Sequence, residues 1–276
     1  MPEAGQPGAA PPAPGAGGGP AFAELELADP VFISDLHLAS AAEATTQAFL
    51  RFCTDIAPAY RELLVLGDLF EYWAGDDDRD SEIGRAVAAA LAGVAAGGCR
   101  VLLMHGNRDF LIGARYAQAC GASLLDDPVR ARVAAAGGSR SGASLLLAHG
   151  DRYCTRDTAY QRFRTQVRNP AWQQQFLAQP LAARHALIGN ARAQSEAGKR
   201  EKAMEIMDVT PEAVLEDLKA AGVATMIHGH THRPGHYALE GGADRWVLPD
   251  WDLGANPPRG GYLDLRGAPW TFAPVP

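Results

Sequence analysis

The chain has 276 residues, 47% of them hydrophobic, and a formal net charge of −7, which is enough apolar material for one core with or without an insertion. The acidic balance argues against gripping nucleic acid on a basic face, and no apolar run approaches the ~18 residues of a membrane-spanning helix. Cys53, Cys99, Cys120 and Cys154 lack C-x-x-C spacing, so neither a zinc ribbon nor a disulfide framework is indicated and a reducing compartment is expected.

The first twenty residues hold six Gly, six Pro and five Ala, without the basic start or apolar core of a signal peptide. Residues 1–28 therefore read as a disordered tail. Val31-Phe32-Ile33-Ser34 reads as a buried strand running into Asp35-Leu36-His37. Strand periodicity is two, so Asp35 and His37 point the same way, at the carboxyl end where ligands of open α/β sheets collect. For this pair alone, a solvated Asp and a surface His is the competing reading.

A helix over 42–57 stops before Pro58. Glu62–Leu66 reads as a second buried strand, ending in Gly67-Asp68. Phe70, Tyr72 and Trp73 read as packing residues, and Asp76-Asp77-Asp78 as a solvated loop that caps a helix over 81–97. A third strand, Arg100–Met104, runs into His105-Gly106-Asn107-Arg108-Asp109, followed by a helix to about 119. Weaker strands near 123–126 and 129–134, a Gly/Ser-rich hairpin at 137–142 and a strand at Ser144–Ala148 lead to His149-Gly150-Asp151. Residues 152–210 then turn rich in Arg, Gln and Ala, with helical spacing of Tyr160, Phe163 and Val167, then Trp172, Phe176 and Leu177. This stretch reads as a helical insertion between core segments 29–151 and 211–276. A helix over 211–221 and a strand over 223–227 reach His228-Gly229-His230-Thr231-His232, and the remainder reads as short antiparallel strands closing a second sheet.

Five buried strands thus end in groups able to bind a metal. The candidates are Asp35, His37, Asp68, Asn107, His149, His228 and His230. Seven ligands are too many for one ion with an open position but suit two ions sharing a carboxylate, which makes Asp68 central. His105 and His232 are left to structural roles.

Asp-x-His, Gly-Asp, Gly-Asn-Arg-Asp, His-Gly and Gly-His-x-His, in this order over residues 31 to about 250, resemble the calcineurin-like metallophosphoesterases. The resemblance implies an α/β fold, a sandwich of two mixed β-sheets flanked by helices, here with a helical insertion. It implies a first metal on Asp35, His37, Asp68 and His230 and a second on Asp68, Asn107, His149 and His228. The two divalent ions, Mn2+ by resemblance, would activate a hydroxide.

Within that superfamily the closer resemblance is to the UDP-2,3-diacylglucosamine diphosphatases of lipid A biosynthesis. It is carried by Phe32–Leu38, Gly67–Glu71 with Trp73 and Gly75-Asp76-Asp77, Gly106–Leu111, His149-Gly150-Asp151 with Cys154-Thr155, Tyr160-Gln161, Phe163-Arg164, Ile206–Val209 and Ile227–Pro234. It implies cleavage of a UDP-linked diacylated sugar at its pyrophosphate, on the cytoplasmic face of the bacterial inner membrane, by a peripheral enzyme with no nucleic-acid or obligate protein partner. Arg108 stands where many superfamily members carry a proton-donating His, and it forks onto phosphate instead. Asp68 and Arg108 are therefore the residues expected to carry catalysis. Substrate contacts carry over onto Asn107, Arg108, Asp157, Ser195, Lys202 and His228, and onto Lys199, where the family commonly has Asn. For Ser195, Lys199 and Lys202 an exposed helix face competes. Phe163, Val167, Trp172, Phe176 and Leu177 are candidates for an acyl-chain cover, with core packing as the alternative. Two other functions compete: a soluble-substrate nucleotide pyrophosphatase or phosphodiesterase, and a scaffold that has lost catalysis, which predicts missing ligands.

Overall fold

Five-residue runs such as Glu62–Leu66, buried at every position, form strands whose two faces both meet apolar neighbours, the pattern of a sheet covered on both sides. The computed structural model describes residues 22–40, 43–134, 142–199, 208–267 and 269–275, apart from the side chains of 192–199. In chain order the elements are β1 (Glu24–Leu27), β2 (Pro30–Ile33), α1 (Ala44–Asp55), β3 (Glu62–Leu66), α2 (Glu82–Ala96), β4 (Arg100–Met104), α3 (Ala114–Ala119), β5 (Ala122–Leu125), β6 (Val129–Val133) and β7 (Ser144–Ala148). They continue with α4 (Thr158–Val167), α5 (Pro170–Leu177), α6 (Leu181–Lys199), α7 (Pro211–Ala221), β8 (Thr225–His228), β9 (Gly235–Ala238), β10 (Asp244–Val247), β11 (Gly261–Asp264) and β12 (Thr271–Pro274).

The strands form two mixed sheets, β12-β11-β2-β3-β4-β5 and β1-β6-β7-β8-β10-β9. Alternation along the strands divides the core. Val31, Ile33, Leu63 and Val65 face α1 and α2, while Phe32, Leu64, Leu66, Leu145, Leu147 and Ile227 fill the space between the sheets. Leu146 and Met226 face Val214 and Leu218 of α7. At about 25 cal/mol per Å2 of apolar surface, this burial fixes the sheets and therefore fixes where the strand ends fall. All four cysteines are buried thiols.

Three expectations change. Residues 24–27 are strand β1 rather than tail: it pairs in parallel with β6, opposing Glu24 to Arg130 and Glu26 to Arg132, so opposite charges meet across the edge. β11 and β12 extend the first sheet through β2, and β10 runs parallel to β8. The acidic run does not cap α2, whose N-terminus is held by Ser81. Asp76 accepts instead from the backbone N–H groups of Gly113, Arg115 and Tyr116 at the start of α3, Asp77 pairs with Arg184, and Asp78 lies 3.3 Å from His185. Residues 1–21, most of the 137–142 hairpin and the 200–207 end of the expected helix lie outside the described residues.

Candidate metal centre

The loops after β2, β3, β4, β7 and β8 converge at one edge of the sandwich. Backbone bonds fix the first two against each other: Asp35 N donates to Gly67 O, and Leu36 N and His37 N both donate to Asp68 O. Glycine permits the approach. A Cβ on Gly106 would lie 2.0 Å from Asp68 Oδ1, and one on Gly229 would lie 2.2 Å from Asp35 Oδ2. Asp35, His37, Asp68, His230 and His232 all have φ between 51° and 68°, the left-handed region that β-carbon sterics disfavour. At about 1–2 kcal/mol each, five such residues cost on the order of 5–10 kcal/mol, comparable with the whole net stability of a domain. Strain of that size persists only where surrounding contacts over-determine it, and concentrations of it mark functional sites.

Two groups of donor atoms share Asp68. In the first, His37 Nε2 lies 3.8 Å from Asp68 Oδ2 and 3.2 Å from His232 Nε2, and His232 Nε2 lies 3.5 Å from Asp35 Oδ1. In the second, His149 Nε2 lies 3.7 Å from Asp68 Oδ2, and His149 Nε2 and His230 Nδ1 lie 3.0 and 2.8 Å from Asn107 Oδ1. The outward ring nitrogens have partners of their own: His149 Nδ1 donates to Leu66 O, and Glu71 Oε2 lies 3.1 Å from His37 Nδ1. That arrangement fixes the tautomer of a metal-binding imidazole and points its lone pair inward. Ser34 Oγ and His230 N hold Asp35, and Arg108 N holds Asp68 Oδ1 at 2.8 Å.

Electrostatics agrees with a cation site. Burial opposes the charged forms of His37 and His149, yet nearby carboxylates outweigh it. Glu71, Asp68 and Asp35 push His37 up, and Asp68, Asp35 and Asp151 push His149 up to about 9. Burial raises the Asp68 carboxyl. For Asp35, burial is outweighed by the hydrogen bond and charge of His232 and the charges of His149 and His37, which hold it below the ordinary range. Burial and the charge of His149 bring His230 down to about 3. A bound cation would replace the protons now shared among these groups.

Of the residues expected from sequence, Asp35, His37, Asp68, Asn107, His149 and His230 meet here, but His228 does not. Its Nδ1 donates to Gly229 O and its Nε2 accepts from Arg245, so both ring nitrogens are used. Burial and Arg245 bring it down to about 4. His232, set aside on sequence, stands where His230 was placed beside Asp35 and His37, and His230 stands where His228 was placed beside Asn107 and His149. A buried His228 also cannot touch substrate. His105 is structural as expected, donating to Ile112 O. Arg108 borders the cluster, 3.6 Å from Glu71. Asp157 caps α4, accepting from Tyr160 N. Ser195 and Lys199 lie on α6 with side chains outside the description, and Lys202 lies outside the described residues. Glu71, Asp109 (which accepts from Leu69, Phe70 and Gly106 N–H) and Arg245 were missed as supports. Only their place inside or after the motifs signalled them.

The family model for calcineurin-like phosphoesterases matches residues 30–234. Curated relatives called UDP-2,3-diacylglucosamine hydrolase include those of Ralstonia nicotianae (47% identical, covering 91% of this chain and 94% of the relative), Chromobacterium violaceum (51%, covering 85% and 93%) and Bordetella pertussis (47%, covering 87% and 93%).

Proposed function

The chain belongs to the calcineurin-like phosphoesterase family, and from that premise we propose that it hydrolyses the pyrophosphate bond of UDP-2,3-diacylglucosamine, releasing UMP and 2,3-diacylglucosamine 1-phosphate. The observation that carries the reading is the pair of donor groups meeting at Asp68 Oδ2. The family implies two divalent ions. We assign one to Asp35, His37, Asp68 and His232 and the other to Asp68, Asn107, His149 and His230, with Mn2+ the expected metal. The mixed N/O donor set fits such a metal. Bound there, such ions would supply a hydroxide at neutral pH and neutralise charge on the transferring phosphoryl group.

The chain's own residues do the rest. Arg108 N fixes the Asp68 carboxylate, and the guanidinium, beside Glu71, can fork onto phosphate oxygens. With no proton donor at position 108, chemistry favours a leaving group that needs none, such as the phosphate monoester released from a pyrophosphate. Asn107 and Arg108 are the substrate contacts nearest the chemistry, and Ser195, Lys199 and Lys202 are further proposed contacts.

We assign helices α4–α6 as a cap over the lipid. Val167 and Phe176 are buried and Trp172 is partly buried against Phe176, so core packing claims those three. Phe163, Leu177 and Leu187 are 46%, 40% and 47% exposed and are the residues left for acyl chains or a bilayer. No helix among the described residues is long and apolar enough to cross a membrane, which is compatible with peripheral attachment at the cytoplasmic face. The test is turnover of UDP-2,3-diacylglucosamine against UDP-glucose and bis-p-nitrophenyl phosphate with Mn2+. Strong preference for the diacylated substrate is expected, and equal use of UDP-glucose would favour a soluble substrate.

A further inference from the structure

Helix α4 touches a neighbour of every ligand private to the second donor group. Arg164 donates through Nε to Asp151 Oδ2 at 2.8 Å and through Nη2 to Asp127 Oδ2 at 3.1 Å. Asp127 Oδ1 in turn accepts from His149 N at 3.1 Å, and Asp151 follows His149 by two residues. The Tyr160 hydroxyl donates to the same Asp151 Oδ2 at 2.6 Å while its ring stacks on His230, centroids 6.1 Å apart. At the helix end Arg168 donates to Gly106 O, the residue before Asn107. His149, His230 and Asn107 are thus each reached, from one helix. The other ligands assigned to the first metal are tied elsewhere: Asp35, which also lies within 4.8 Å of ligand atoms of Asp68 and His149, to Ser34 and His230 N, His37 to Glu71, and His232 to His37 and Asp35.

The cluster also concentrates ionisable groups out of solvent. Asp151 is fully buried, its Oδ1 has no hydrogen-bond partner among the described residues, and two carboxylates face one guanidinium across Asp127, Arg164 and Asp151. Such a buried network is costly when incomplete, and here it adjoins the place where a cation is expected.

We propose that Arg164, Tyr160 and Arg168 are positioning residues for the second metal, so that docking of α4 and binding of that ion are a single event, while the first metal is independent of the helix. This rests on the two-metal reading above. Partners of metal ligands of this kind are worth about 10–100-fold in metal affinity.

The test is Mn2+ binding without substrate, by calorimetry and by the exchange-coupled electron-spin signal of a Mn pair. Wild type should take up two ions; a stoichiometry of one would overturn the dinuclear reading itself. In a His232→Ala background, which leaves the second group, Arg164→Met should weaken Mn2+ binding about 10–100-fold, with Arg164→Lys recovering part of it. In a His230→Ala background, which leaves the first group, the same substitution should change affinity by less than about twofold, because no bond of α4 reaches that group. Equal weakening in both backgrounds, or none in either, overturns the proposal. Should Arg164→Met fail to fold, Arg168→Met and Tyr160→Phe in the same two backgrounds decide it.

Discussion

The strand ends that carry the candidate metal ligands and the helices of 158–199 beside them are held by different physics. The strand ends are stitched by backbone bonds between neighbouring loops, have no room for a Cβ at Gly106 or Gly229, and keep five residues in a strained conformation. The helices dock through a thinner mixture of apolar and charged contacts: Phe176 of α5 reaches the main core with Trp172 and Ile188 beside it, Val167 is buried, and charged latches come from Arg164 of α4, from Arg168 just after it, and from Arg184 of α6, which is 1% exposed and donates to Ala74 O, Asp77 and Gln179 O. Dense packing fixes geometry to a fraction of an ångström, whereas a segment held by few apolar contacts and a handful of ionic latches can open locally at a fraction of the global cost. The rigid part holds its donor atoms in fixed positions, and the helices beside it are the part that opens more readily.

Breaking the rigid part should have the largest effect. Asp68→Ala should reduce turnover to background and lower bound metal from two ions toward one or fewer, read by elemental analysis. Next comes pH. His149, pushed up to about 9, must lose its proton to a metal, so Mn2+ affinity should rise by up to about tenfold per unit between pH 6.5 and 9. The metal-free protein should do the opposite. A His whose folded pKa is raised stabilises fully below its unfolded value, about 6.5, and loses that stability as pH climbs through about 9, so thermal melts with and without Mn2+ should diverge on the alkaline side.

The latched part should respond more locally. Arg184→Met removes charged hydrogen bonds worth about 2–3 kcal/mol, and amide exchange of α4, α5 and α6 should speed up while β2, β3 and β4 remain protected. The smallest effect is at the border between the two regions. Arg108→Ala should cost kcat/KM about 1.5–2 kcal/mol, roughly 13- to 30-fold, with metal content unchanged. Loss of a metal there would mean that Arg108 supports the cluster rather than the substrate.

The rigid part was also the more legible in sequence. Runs such as Glu62–Leu66, Arg100–Met104 and Ser144–Ala148 coincide with their strands because burial on both faces leaves an unbroken apolar stretch. β1 was missed although Glu-Leu-Glu-Leu alternates, because the neighbouring Gly and Pro residues dominate its composition; its partners Arg130 and Arg132 lie about a hundred residues away. The last motif offers three histidines at spacing two, and alternation alone cannot say which pair faces the metals. Arg245, seventeen residues on, decides it by occupying His228. The acidic run looked like a cap for the helix after it, but its partners are on α3 and α6. Long-range partners of charged side chains leave no local signal.

The most direct measurement of the central claim is the anomalous scattering of a Mn2+-soaked crystal. Two peaks are predicted, one among Asp35 Oδ1, His37 Nε2, Asp68 and His232 Nε2, the other among Asp68, Asn107 Oδ1, His149 Nε2 and His230 Nδ1. A single peak, or one coordinated by His228 Nε2 with Arg245 displaced, would contradict it.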